Sequence, residues 1–118
     1  MMTPVAVLVH VPDMAKGLEW YQKAFPDAIP TYHPEFDFTV LNLNGFSLEI
    51  VQADTKVGTG KKGTVIYWSV SSLSMALAHF ESIGAFLYRG PMEIENELYM
   101  CQVEDPFGNL IGLRGAMG

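Results

Sequence analysis

The sequence predicts an α+β domain built from two copies of one strand–helix–strand–strand–strand (βαβββ) unit, and three observations carry that prediction. The first is the stretch Val103-Glu104-Asp105-Pro106-Phe107-Gly108-Asn109-Leu110-Ile111-Gly112-Leu113, two apolar runs joined by turn residues. Pro106 presets its φ near about −65°, Asp105 can bond its own backbone two residues on, and Gly108 and Asn109 tolerate positive φ, so the stretch reads as a β-hairpin. The second is Leu41 to Val51, which has the same shape around Asn44-Gly45. The third is a constant offset. Val11 to Val70, Leu18 to Leu77 and Tyr21 to Phe80 are each 59 positions apart, while Gly45 to Gly108 and Glu49 to Gly112 are 63 apart. The second copy therefore carries about four extra residues between its helix and its hairpin.

Each element follows from local pattern. Val5 to Val11 is a run of aliphatic, largely β-branched residues that reads as a buried strand, with His10 its only strongly polar member. Asp13 is placed to cap a helix in which Met14, Leu18, Tyr21 and Phe25 recur at three- and four-residue spacing until Pro26 forbids continuation. Ile29 to His33 reads as a short edge strand because Pro30 and Pro34 cannot donate to a ladder, and the first hairpin runs from Phe36 to Val51. Gln52 to Gly63 is the predicted linker. Its Thr59-Gly60-Lys61-Lys62-Gly63 is not a phosphate loop, because Lys62 is followed by glycine rather than Ser or Thr and a strand rather than a helix comes next. Thr64 to Val70 is predicted as the fifth strand. Ser72 caps a second helix with Leu73, Ala76, Leu77, Phe80 and Ile83 on one face, and Gly84 stops it. Ala85 to Tyr88 reads as a strand, Glu93 to Glu97 as an exposed acidic connection, Leu98 to Leu113 as the second hairpin, and Arg114 to Gly118 as a tail without structure of its own.

Composition bounds the function. At 118 residues and 49% hydrophobic content the expectation is a single domain over 1–118, made of half-units at about 1–56 and 62–118 that share one core. The apolar runs are far shorter than the roughly 20 residues of a membrane span. No basic segment precedes the first apolar run, so the expected location is the cytoplasm. A net charge of −6 with seven Lys and Arg argues against nucleic acid, which needs a basic patch to displace counterions. The single cysteine, Cys101, excludes an intrachain disulfide and reads as a small buried thiol.

The duplicated order, the opening His10-Val11-Pro12-Asp13 with Leu18-Glu19-Trp20-Tyr21, and the closing Asp105-Pro106-Phe107-Gly108-Asn109-Leu110-Ile111 together resemble the vicinal oxygen chelate superfamily. That group includes glyoxalase I, extradiol dioxygenases, fosfomycin resistance enzymes and bleomycin resistance proteins. The resemblance implies curled mixed sheets around a pocket with the helices on the outer face, and a homodimer. Strand alternation then selects the inward set: Ala6, Leu8 and His10; Ser47, Glu49 and Val51; Val65, Tyr67 and Ser69; Leu110, Gly112 and Arg114. Trp20, Phe46, Trp68 and Phe80 are left for the helix-side core, and His33 and His79 for the surface.

In the family's metalloenzymes a divalent ion is held from the first, fourth, fifth and eighth strands. The matching positions here are Ala6, Glu49, Val65 and Gly112, so Glu49 is the only retained ligand position, and neither a metal nor another cofactor is expected. The resemblance implies a small organic molecule as partner, with His10, Ser47, Glu49, Tyr67, Tyr99 and Arg114 as candidate ligand-binding residues. Two readings stay open. One is a metal-free small-molecule-binding protein of the bleomycin resistance type. The other is a lyase, isomerase or dioxygenase-like enzyme in which Glu49 acts as base with His10 or Tyr67 as acid.

Overall fold

Strand, helix and three further strands follow one another twice along the chain in the computed structural model, which describes residues 1–118. The two repeats form two compact units, Met1–Thr59 and Gly60–Gly118. The first contains β1 (Ala6–Val11), α1 (Met14–Ala24), β2 (Ile29–His33), β3 (Phe38–Leu43) and β4 (Phe46–Gln52). In the second these become β5 (Tyr67–Ser69), α2 (Leu73–Ser82), β6 (Phe86–Glu93), β7 (Tyr99–Glu104) and β8 (Leu110–Gly115). Each unit is a four-stranded mixed sheet, ordered β1-β4-β3-β2 and β5-β8-β7-β6. In each, the strand before the helix runs parallel to the last strand and the other pairs are antiparallel. This is the tandem βαβββ α+β fold.

The helices begin and end where the side chains dictate. Asp13 accepts a hydrogen bond from the Lys16 amide at 3.2 Å, and the Ser72 hydroxyl accepts one from the Met75 amide at 3.2 Å. At the end of α2, Gly84 takes φ 98°, the Ala85 amide donates to the Phe80 carbonyl at 3.0 Å and the Gly84 amide to that of Glu81 at 3.2 Å. That paired closure is what a left-handed glycine permits. Gly17 serves a different need: a Cβ there would lie 2.7 Å from Val11 and 2.9 Å from Ile50, so its absence lets α1 settle close onto β1 and β4.

Burial follows strand alternation within each unit. In the first, Val11, Leu41, Leu48 and Ile50 pack on the helix side with Trp20, Tyr21 and Ala24. In the second, Cys101, Val103, Ile111 and Leu113 do so with Leu73 and Phe80. A fully buried side chain of this kind contributes about 1.5–3 kcal/mol, so these two cores dominate stability. Their opposite sheet faces carry the set read from the sequence as inward, except Val65, which precedes β5, and Ala6, Leu8, Ser69 and Arg114 there are exposed. Trp20 and Phe80 are buried as expected; Phe46 and Trp68 are only half-buried, Trp68 because β5 is an edge strand.

Three segments depart from expectation. The predicted strand Thr64–Val70 shrinks to Tyr67–Ser69. The chain before it is held on the second hairpin instead, with Lys61 Nζ 3.2 Å from the Glu104 carboxylate and the Gly60 amide donating to Asn109 Oδ1 at 3.1 Å. Conversely β6 runs on to Glu93, absorbing two register shifts between Leu87 and Met92. Gly90 and Pro91 are tolerated on this edge strand, where a missing amide donor is not needed by the sheet. The tail also has structure. Arg114 and Gly115 complete β8, and the Ala116 and Met117 carbonyls accept from the first-turn amides of Leu73 and Ser74 at 2.7 and 2.9 Å. No helix is long and apolar enough to cross a membrane.

Candidate functional site

In the first unit the register Ala6↔Ser47, Leu8↔Glu49 and His10↔Val51 sets His10, Ser47 and Glu49 on one face of the sheet, away from α1. Ser47 donates its hydroxyl to Glu49 Oε2 at 2.8 Å, so the half-buried carboxylate is fixed by its neighbour two residues back on the same strand. Beyond the end of β4, Asp54 accepts the Lys56 and Val57 amides, each at 2.8 Å. Those two bonds, with a smaller contribution from the charge of His10, hold its carboxyl below the ordinary aspartate value. His33 faces Glu35, with Nδ1 3.8 Å from the carboxylate.

In the second unit Tyr67 is the centre. It pairs in register with Gly112, and its ring lies flat across that glycine, so a Cβ at position 112 would stand 2.7 Å from two ring carbons. Gln102, opposite Gly112 on β7, donates from Nε2 to the Tyr67 hydroxyl at 2.8 Å. Arg114 lays its guanidinium over the ring, with Cζ 5.0 Å from the centroid. Such a contact at an exposed position is worth about 0.5–1 kcal/mol, enough to orient the guanidinium and leave its N–H edges open. A hollow of about 310 Å³ adjoins this group where β5 and β8 end, walled by Tyr67, Trp68, Ser69, Val70, Leu98 and Arg114.

The structure thus brings Ser47 and Glu49 into contact, sets His10 on their face, and joins Tyr67 to Arg114. It does not bring Tyr99 to Tyr67. Tyr99 shares the strand parity of Cys101 and Val103, whose side chains pack toward α2, whereas Tyr67 is aligned with Gln102 and Gly112 on the other face. Gln102 was not singled out from the sequence. Counting back across the second hairpin from Glu104 opposite Leu110 puts Gln102 opposite Gly112, so the register would have revealed it.

The four positions that hold the divalent ion in related metalloenzymes do not make up a ligand set here, since only Glu49 carries a donor. Ala6 and Gly112 have no donor, Val65 precedes β5, and Glu49 is met in register by Leu8. No three His, Cys, Asp or Glu side chains gather where they could hold a metal ion. At Gly112 the mismatch is steric as well as chemical, since the Tyr67 ring occupies the space a ligating side chain would need.

A glyoxalase/bleomycin resistance protein/dioxygenase superfamily model matches residues 3–113, and the chain belongs to that superfamily. Among curated proteins no sequence match reaches significance. Solved structures share the fold at low identity. A glyoxalase/bleomycin resistance protein/dioxygenase family enzyme from Burkholderia phytofirmans PsJN superposes with a TM-score of 0.73 at 15% identity, covering 93% of this chain and 95% of its own. A glyoxalase-related enzyme from Fulvimarina pelagi gives 0.75 at 14%, covering 97% and 88%. TioX from Micromonospora sp. ML1 gives 0.70 at 15%, covering 97% and 98%. At these identities the likeness speaks for the fold alone.

Proposed function

We propose that this protein is a small-molecule-binding member of its superfamily that works without a metal, holding an organic ligand against the open sheet face around Tyr67. The observation that carries the proposal is the Tyr67–Gly112 packing. A tyrosine ring built over a side-chain-free position and anchored by Gln102 carries the Arg114 guanidinium in a fixed place, with a hollow beside it. Ligand seats characteristically combine an apolar floor with a few placed polar groups.

The test is elemental analysis of the purified protein, followed by thermal denaturation with Ni²⁺, Zn²⁺, Mn²⁺ and Fe²⁺ and with Glu49→Ala as control. The expected result is protein without stoichiometric metal and no saturable shift of the melting temperature. Near-stoichiometric metal, or a saturable shift that disappears in Glu49→Ala, would overturn the proposal.

A second reading rests on the first unit, where the Glu49 carboxylate, held by Ser47, shares a sheet face with His10. Such a pair is suited to proton transfer, with Glu49 as base and His10 as acid in a metal-free lyase or isomerase. Under this reading Glu49→Gln abolishes a turnover that added metal does not restore; turnover surviving in Glu49→Gln would rule it out.

A further inference from the structure

We infer that the hollow at the end of β5 and β8 takes the carboxylate of a small organic acid with an apolar body, Arg114 pairing with the acid group. The inference rests on the reading of the Tyr67 face as a ligand seat and adds the charge of the ligand.

Three observations carry it. The first is the sign of the lining. The chain has 13 Asp and Glu against seven Lys and Arg, yet the wall of the hollow contains one base, Arg114, and no acid. The second is that Arg114 is exposed and no carboxylate neutralises it; the protein's Lys and Arg ion pairs are Lys23 with Glu19 and Lys61 with Glu104. Its guanidinium lies over the face of Tyr67 and is in no ion pair, which leaves its edge free to make the paired N–H···O bonds a carboxylate accepts. The third is the donor character of the neighbouring groups. The Tyr67 hydroxyl already accepts from Gln102, so its own proton is available, and Ser69, in register with Arg114, adds a second hydroxyl. Leu98 and the Trp68 side of the wall offer apolar surface for the remainder of the ligand, and the volume lies at the small end of ligand pockets. One cation matches one negative charge, which favours a monocarboxylate over a phosphate dianion.

The experiment uses a matched set of probes with the same phenyl body: phenylacetate, phenylacetamide, phenethylamine and phenyl phosphate. Each is titrated into the ¹⁵N-labelled full-length protein, with amide shifts of residues 66–70 and 112–116 as the readout. Phenylacetate is expected to saturate these shifts about ten-fold more tightly than phenylacetamide, the span of one charge-assisted hydrogen-bond pair. Phenethylamine is expected not to bind there, and phenyl phosphate to bind more weakly than phenylacetate. Arg114→Gln should erase the difference between acid and amide while leaving the spectrum folded. Arg89→Gln, which removes the same charge from β6 and away from the hollow, should keep it. Equal binding of all four probes at these residues, or an acid preference that survives Arg114→Gln, would overturn the charge assignment and leave the seat standing. A phosphate preference over carboxylate would overturn the ligand class. No saturable shift at these residues with any probe would overturn the seat itself.

Discussion

The contact between Tyr67 and Gly112 makes a demand that a single methyl group can test. A Cβ at position 112 would stand 2.7 to 2.9 Å from three ring carbons, and the ring has little freedom to yield because Gln102 and Arg114 hold it. Gly112→Ala is therefore expected to destabilise the protein by about 1–3 kcal/mol, the usual cost of overpacking, measured by urea denaturation. Combining it with Tyr67→Ala should give much less than the sum of the two single losses, because the clash disappears with the ring. Additive losses would show that the ring is not what the methyl meets. Cys101 belongs to the same scale. Burial, with a smaller contribution from the negative charge of Glu81, pushes its thiol above the ordinary value, so it should react with a disulfide reagent at pH 8 only as fast as the protein unfolds.

At the scale of elements the two hairpins use different turns for the same task. Asn44 and Gly45 both take positive φ, 53° and 94°, closing a two-residue loop between β3 and β4. Between β7 and β8 the loop is longer and is organised by Asp105, which is 1% exposed. One of its oxygens accepts the Phe107 and Asn109 amides, each at 2.8 Å. Replacing Asp105 by Ala leaves both donors without that acceptor and is expected to cost roughly 2–4 kcal/mol, against a smaller loss for Asp105→Asn, which keeps an acceptor oxygen. Equal losses would mean that size rather than hydrogen bonding is at stake. These turns, both helix caps and the buried parity of β4 and β8 were legible because each depends on residues close in sequence. The short β5 and long β6 were not. Ahead of the first the chain is tied to Glu104, 43 positions beyond Lys61, and in the second an edge strand accommodates Gly90 and Pro91, contacts between residues distant in sequence or set by sheet position.

For the molecule as a whole, the repeat offset discloses the architecture, because two copies of one unit must satisfy the same packing twice. The candidate site was legible only as a set of facing positions. The parity read from the sequence covers the first and last strands of each repeat and not β7, so it reaches neither the face that Tyr99 takes nor the place of Gln102 opposite Gly112. Association belongs to this scale too. Ile29 and Tyr32 on β2, and Phe86, Leu87, Tyr88 and Met92 on β6, are exposed apolar residues on edge strands, surfaces that proteins usually cover. A homodimer is the expected state, so light scattering should report twice the chain mass of 13.1 kDa; a concentration-independent value of one chain would dismiss it.

The ring over Gly112 finally makes the order of any redesign matter. A glutamate installed at position 112 to rebuild a metal centre would collide with Tyr67 before it could reach an ion, so on its own it would be a harmful change. The same glutamate placed after Tyr67 had been shortened would be spared that collision. Of the two routes back to a ligating residue only the second is passable, and it passes through a protein that has already given up its stacked arginine platform.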